Sequence, residues 1–324
     1  MIIEILIGGI IKTNNIMNEM SSSFLKILKN PRLVFRGVGY MFLNLFARQM
    51  SDKAYLQCKW WVNSGKILDL ENPITFNEKL QWLKLYNRIP LYTRMVDKYE
   101  AKKYVASIIG EQYIIPTLAV YDSVEDIDFD SLPNQFVLKC THDSGGIVIC
   151  QNKTQLDRNE AKKKLQKGLK TNFYWVNREW PYKNVTPRII AEKYLTNGNG
   201  ELRDYKFFCF NGVPRVMFIA SDRFNKEVET KFDFFDMDFN HLPFRNGHPN
   251  AIKPIERPSN FEDMKLLASK LSKDIPHVRV DFYNIDGQIY FGEMTFFHWS
   301  GFVKFEPEEW DFKMGEMIKL PGKY

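Results

Sequence analysis

The sequence predicts an α+β chain in which antiparallel hairpins alternate with amphipathic helices. Asn211-Gly212 and Asp286-Gly287 are tight-turn dipeptides, each lying between apolar strand-like runs, and each predicts a β-hairpin. Helical periodicity recurs between the hairpins rather than after every strand, the mark of α+β rather than βαβ order. No Gly-x-Gly-x-x-Gly follows a strand and no Gly-x-x-x-x-Gly-Lys-Ser/Thr is present, so a dinucleotide crevice and a P-loop are both excluded.

The elements follow in order. Residues 51–90 read as a helix, a turn at Asn72-Pro73 and a second helix from Asn77, entered through a capping box at Thr75 and Glu78. Tyr92 to Ile108 reads as one helix with Asp97-Lys98 near its start. Ile114 to Tyr121 is strand-like, and Asp126 to Pro133 an acidic loop. Phe136 to Cys140 is an apolar strand carrying Lys139; it runs through Thr141-His-Asp-Ser-Gly-Gly146 into a return strand, Ile147 to Cys150. A Lys-rich amphipathic helix covers 157–171. Strands are expected at Pro187–Leu195, Leu202–Phe210 and Val213–Ala220, with a turn at Asn197–Gly200. A helix from Asn260 to Leu271 precedes the hairpin spanning Val278 to Thr295. No internal repeat and no long Gly/Ser- or Pro-rich linker interrupts the chain.

At 324 residues, 44% hydrophobic and 26% charged, the chain has the make-up of a soluble globular protein. A net charge of +6 suits an anionic ligand or an anionic membrane surface. Nucleic acid is not expected: zinc-ligand spacing, a helix-turn-helix and an RNA-recognition motif are all missing. Cys58, Cys140, Cys150 and Cys209 form no Cys-x-x-Cys pair, which points to free thiols in a reduced, cytoplasmic protein. The apolar run Met1 to Ile11 is too short to span a bilayer and lacks the basic start and small-residue cleavage site of a signal peptide. Met17 and Met20 are alternative starts. Residues 24–50 mix aromatics with Lys26, Lys29, Arg32, Arg36 and Arg48, which fits either a peripheral contact with the inner face of a membrane or a pair of helices packed on the main domain.

The chemistry concentrates in the last hairpin. Folding at Asp286-Gly287 brings Asp281 nearly opposite Glu293. Two carboxylates held that close repel unless a cation lies between them. Mg²⁺ takes carboxylate oxygens and shares them with substrate phosphates. Arg279 lies two residues from Asp281 and so on the same strand face, where it could hold a phosphate or carboxylate. Asp204 and Lys206 share a face of their strand by the same period. Lys139 on a buried strand needs an anionic partner, and a nucleotide phosphate would supply one. The glycines at 145 and 146 would let backbone N–H groups approach that phosphate.

The ordered set Asp97-Lys98, Lys102, Lys139, the glycine loop, Glu192 to Leu195, Asp204-x-Lys206, Arg279-x-Asp281 and Glu293-x-Thr295 resembles the ATP-grasp fold, in which two α+β subdomains grip ATP. The phrases Asn72-Pro-x-Thr-Phe-Asn-Glu-Lys-Leu-Gln-Trp82, Leu138-Lys-Cys-Thr-His142 and Asp204-Tyr-Lys-Phe-Phe-Cys-Phe-Asn-Gly212 are similar to its TupA-like branch, associated with teichuronopeptide and cell-surface polysaccharide biosynthesis. The likeness runs from about residue 55 to about residue 310. It implies an N-terminal helical extension over 1–50, a helical lead-in over 51–120, a lid subdomain over 121–195 and a metal and acceptor subdomain over 196–324.

The resemblance also implies residue roles. Lys98 and Lys139 would contact the α- and β-phosphates of ATP. Ser144, Gly145 and Gly146 would close over the phosphates. Glu192, Lys193, Tyr194 and Leu195 would hold adenine, and Asp204 the ribose. Lys206 would reach the transferred phosphoryl group and Arg279 would steady it. Asp281 and Glu293 would hold Mg²⁺, with Thr295 beside them where the family usually has Asn. His298, Ser300 and Gly301 would border the acceptor, with His142 and His298 available for acceptor binding or proton transfer. The implied activity is an acid–amine ligase in polysaccharide biosynthesis, with ATP, a carboxylate and an amine as partners. A glycosyltransferase using a sugar nucleotide is the alternative, for which Asp236-Met-Asp238 and Asp126-Ile-Asp128 are the Asp-x-Asp candidates. A non-catalytic relic would be expected to lack Lys98, Lys139 or Glu293, and all three are present.

Overall fold

The computed structural model describes residues 31–143, 145–196, 202–223, 228–252 and 254–322. The chain divides into two compact units, Met1–Leu68 and Asp69–Tyr324, and the division falls within the lead-in segment expected over 51–120. The first unit holds helices α1 (Pro31–Phe46) and α2 (Asp52–Ser64). Ser51 caps α2 by accepting from the Ala54 amide, and Gly65 ends it in a left-handed turn at φ 71°. The two helices meet at Gly39, where a Cβ would lie 2.5 Å from the Val62 side chain.

The second unit is built on two antiparallel sheets. The first has strand order β1-β4-β2-β3, from Thr117–Tyr121, Ile189–Lys193, Phe136–Cys140 and Ile147–Cys150. Strand alternation sends Phe136, Leu138, Cys140, Ile189 and Ala191 into a core shared with Ala161 and Leu165 of a helix over Arg158–Leu169. That core also takes Ile127, Phe129 and Leu132 from the segment expected as an acidic loop. The opposite face of the sheet carries Lys139 and Glu192.

The second sheet has strand order β10-β9-β5-β6-β7, from Gln288–Thr295, His277–Ile285, Asp204–Phe210, Val213–Ser221 and Lys231–Asp236. Both predicted hairpin turns form, while the turn expected at 197–200 lies outside the described residues. Asn211 and Gly212 have φ 50° and 81°, and Asp286 and Gly287 have φ 49° and 86°, the paired left-handed residues of a type I′ hairpin. Phe207 on the back of the sheet packs on Phe261 of a helix over Phe261–Leu271, with ring centroids 5.8 Å apart. The front carries Asp204, Lys206, Arg279 and Asp281, with Lys206 directly opposite Asp281.

One residue decides what joins them. A two-residue turn at Asp286-Gly287 pairs Phe282 with Phe291, and an unbroken ladder would then pair Asp281 with Gly292, leaving Glu293 on the back of the sheet. Instead the register shifts, Gly292 is the extra residue of a β-bulge, and Glu293 pairs with Asp281 and Thr295 with Arg279. A Cβ at position 292 would sit 3.1 Å from the Asp281 carbonyl oxygen.

The helix expected from Tyr92 to Ile108 is two helices, Leu91–Val96 and Glu100–Ile109. Asp97 breaks it: its backbone is extended at ψ 112° and its carboxylate accepts from the Tyr99 and Glu100 amides, starting the second helix. The Lys98 amide meanwhile donates to the Thr141 carbonyl at 3.0 Å.

Gly292→Val should crowd the bulge and lower stability by about 1–3 kcal/mol, read as the urea midpoint; an unchanged midpoint would mean the strand pair tolerates a side chain there.

Candidate active site

On the front of the second sheet, the Asp281 carboxylate is buried and ringed by cations. Arg279 holds it in a two-pronged grip, Nε to Oδ1 and Nη2 to Oδ2, both at 2.7 Å. The Lys206 ammonium bonds the same Oδ2 and lies 3.3 Å from Asp204. Arg223 pairs with the same Asp204 oxygen, Oδ2, that faces Lys206. Burial opposes the charge of Asp281, but Arg279 and Lys206 together outweigh it and hold the carboxyl below its usual range. For Lys206 burial dominates and pulls the ammonium down, with Asp281 opposing.

Three oxygens converge on one point. Arg279 Nη2 lies 2.7 Å from Asp281 Oδ2, 3.2 Å from Glu293 Oε1 and 3.1 Å from Thr295 Oγ1. The three residues expected to hold metal therefore share one cation already, and the Glu293 side chain remains 41% exposed. Among the described residues no group of three or more His, Cys, Asp or Glu makes a metal cage. Mg²⁺ needs none, since one or two carboxylates, water and substrate phosphates complete its shell. The donor set fits that ion once Arg279 is drawn away.

Arg279 is anchored from behind. Its Nη1 donates to His298 Nδ1 at 2.8 Å, and His298 Nε2 lies 3.0 Å from Asn246 Oδ1. Arg279 can only donate, so Nδ1 is the acceptor and the proton sits on Nε2, a neutral imidazole. The Asn246 amide is oriented by donating to the Val303 and Lys304 carbonyls. Burial, then Arg279, keeps His298 well below the usual imidazole range.

Ser300 and Gly301 sit in a strained turn. Trp299, Ser300 and Gly301 are all left-handed, at φ 47°, 55° and 65°. Gln81 Nε2 donates to the Ser300 and Gly301 carbonyls at 3.0 and 2.9 Å, and the fully buried Lys84 ammonium donates to the Ser300 carbonyl at 2.8 Å. The Ser300 hydroxyl donates to Glu179 and accepts from Asn177. Burial lifts the Glu179 carboxyl above its usual range. All four clamp residues lie outside the sequence-derived set.

On the first sheet Glu192 is buried between Lys139 at 2.6 Å and Lys102 at 2.5 Å. Burial opposes its charge, and the two ammoniums outweigh it. Lys102 also donates to the Ile115 carbonyl and to Thr117. Lys193 is exposed, with its amide donating to the Pro116 carbonyl. Tyr194 accepts from Gln151, and Leu195 is half-buried at the strand end. Lys98 reaches the Asp143 carbonyl at the root of the glycine loop. The Asp143 carboxylate caps the Gly146 amide, and a Cβ on Gly146 would strike Cys140 Sγ at 2.6 Å. Gly145 is exposed with open space around it; Ser144 lies outside the described residues. His142 is buried, its Nε2 3.1 Å from the Gly168 carbonyl. Tyr283 continues the front-face row of Arg279 and Asp281 on its strand and pairs with Asp204.

The family model described as TupA-like ATPgrasp matches residues 78–319. The chain belongs to the TupA-like ATP-grasp family. Among solved structures it is similar to a D-alanine–D-alanine ligase from Bacillus anthracis complexed with ATP, at 19% identity and TM-score 0.36, covering 62% of this chain and 53% of that one. A D-alanine–D-alanine ligase from Helicobacter pylori gives 14% identity and TM-score 0.39, covering 75% and 69%. A D-cycloserine synthetase gives 16% and 0.37, covering 64% of each. The chain thus spans about half the length of the first of these. No curated protein matches it.

In this ATP-grasp chain the Asp-x-Asp pairs serve turns. Asp236 accepts from the Asp238 and Asn240 amides and the Asn240 side chain, and Asp126 from Ser123. Lys84, Gln81, Glu179, Asn177 and Asn246 gave no sequence signal, because each reads as an ordinary helix or loop residue until its fold partner is known.

Two predictions follow from the buried groups. Lys84→Met leaves the Ser300 and Asn177 carbonyls without their ammonium, and unfolding free energy should fall by about 3 kcal/mol or more; a loss under about 1 kcal/mol would remove the clamp from the account. The second concerns His277, held by burial at about 3. Between about pH 6.5 and 3 the unfolded chain takes a proton that the folded one refuses. Stability present above pH 6.5 is therefore lost as pH falls, by about 1.4 kcal/mol per pH unit for this group. Urea unfolding of His277→Gln should show an acid slope shallower by that amount, and an equal slope would contradict it.

Proposed function

We propose that the chain is an ATP- and Mg²⁺-dependent acid–amine ligase that joins a carboxylate to an amine through an acyl-phosphate. The observation that carries the reading is the convergence of Asp281, Glu293 and Thr295 on a single cationic nitrogen, beside Lys206, in a member of the TupA-like ATP-grasp family. The TupA-like likeness supports a carboxyl or amine acceptor that belongs to a cell-surface polysaccharide or peptide precursor. The glycosyltransferase alternative is less supported, because Asp236 and Asp126, one aspartate of each Asp-x-Asp pair, already cap local turns.

The chemistry divides into two displacements. A carboxylate oxygen of the acceptor attacks the γ-phosphorus, the bond to the β-phosphate oxygen breaks and ADP leaves. An amine nitrogen then attacks the acyl carbon, phosphate leaves, and the amine gives up a proton as the amide forms. Phosphoryl transfer asks chiefly for in-line positioning and charge neutralisation. Mg²⁺ held by Asp281 and Glu293 would neutralise phosphate charge. Lys206 and Arg279 face the same point and would take the transferred phosphoryl oxygens. Lys98 and Lys139 would hold the α- and β-phosphates, with Gly145 and Gly146 closing over them. Glu192 to Leu195 would border adenine, and Asp204, with Arg223, the ribose. His298, Ser300 and Gly301 would shape the acceptor side.

Thermal shifts with ATP, GTP, UDP-glucose and UDP-glucuronate, each with and without Mg²⁺, test the reading. Stabilisation by ATP with Mg²⁺ alone is expected; stabilisation by UDP-sugars alone would replace the ligase with a glycosyltransferase. Lys139→Ala should weaken ATP binding by about 1.5–3 kcal/mol, measured calorimetrically. Undiminished affinity would remove Lys139 from the nucleotide site.

A further inference from the structure

We infer that α1 (Pro31–Phe46) is a docking surface for an anionic lipid bilayer. Val38, Met41, Phe42 and Leu45 recur at the spacing of one helix face, and they are 54%, 59%, 44% and 64% exposed. Phe46 extends the stripe, its ring 4.8 Å from that of Phe42. The helix uses a different side to pack within its own unit: Leu43 is buried, Gly39 meets Val62, and the Tyr40 hydroxyl bonds Asn63. The stripe is therefore surplus to the helix pair's own core. Single exposed apolar residues are ordinary, whereas an aligned set of four large ones marks an interaction surface.

Charge selects the occupant. Between Glu19 and Asp52 the chain carries Lys26, Lys29, Arg32, Arg36 and Arg48 and no acidic residue. Five of the six net positive charges of the molecule fall in this one stretch, and the remainder of the chain is near neutral. Arg36 lies on the helix side away from the stripe, and a helix is about 10 Å across, comparable to a Debye length at physiological salt. Its charge therefore still acts on anionic headgroups when the stripe is inserted. A helix of this kind lies in the interface rather than crossing it. Among the described residues no helix is long and apolar enough to span a bilayer. The inference stands apart from the ligase reading and uses none of its residues.

The test is vesicle co-sedimentation of the full chain, with phosphatidylcholine alone and with phosphatidylcholine containing phosphatidylglycerol. Binding to the anionic vesicles is expected, with weakening in high salt. The double substitution Met41→Glu with Leu45→Glu places acids on exposed positions and should reduce that binding at least about tenfold. The same variant should keep the wild-type thermal midpoint and its shift with ATP and Mg²⁺, which separates lost docking from lost folding and from failure of the ligase reading. Absence of binding to anionic vesicles, equal binding to neutral ones, or binding unmoved by the double substitution would each overturn the inference. So would a wild-type dimer by light scattering that the variant dissolves while vesicle binding is absent, since the stripe would then belong to a second copy of the chain.

Discussion

Holding the Asp281 carboxylate charged inside a five-stranded sheet is the constraint to which the rest of the second unit responds. An isolated buried charge is unfavourable by several kcal/mol, and it becomes tolerable only when its partners and their remaining hydrogen bonds are closed off as well. Arg279 and Lys206 close the carboxylate. Arg279 in turn needs somewhere for its other nitrogen, and His298, fixed by Asn246, provides it. The chain of bonds runs from the sheet surface to the Val303 and Lys304 backbone, so the orientation of one guanidinium is set by residues far apart in sequence.

The same arrangement makes the site responsive. With Arg279 on Asp281, the three oxygens of the proposed metal site are satisfied by a guanidinium; an incoming anion that drew Arg279 and Lys206 away would free those oxygens for a divalent ion. Metal and phosphate binding would thus favour each other through the side chains they share. Strain is placed nearby, in the left-handed run Trp299 to Gly301, and it is held by Gln81 and Lys84 from a helix more than two hundred residues earlier in the chain. That long-range clamp explains why a lysine on a helix can be wholly buried: every proton of its ammonium has a carbonyl or amide oxygen to meet.

Local chemistry was legible in the sequence wherever a short-range rule decides it. The Asn-Gly and Asp-Gly turns, the capping box at Thr75 and the alternation placing Asp204 and Lys206 on one strand face are all of this kind. So was the approach of Asp281 and Glu293, although its true cause, the bulge at Gly292, was not read: a straightforward count from the turn puts Glu293 on the wrong face. The break at Asp97 was missed because apolar periodicity continues through it while a tertiary bond from Lys98 to Thr141 overrides it. Glu179, Lys84 and Asn246 were invisible because their roles depend on which distant carbonyl or hydroxyl the fold brings to them.

The most direct measurement is a crystal structure with a non-hydrolysable ATP analogue and Mn²⁺, located by its anomalous signal. The account predicts a Mn²⁺ peak in coordination contact with both Asp281 and Glu293, phosphates against Lys206, and Arg279 moved off Asp281. A nucleotide bound with its metal away from both carboxylates, while Arg279 keeps its two-pronged grip, would contradict it.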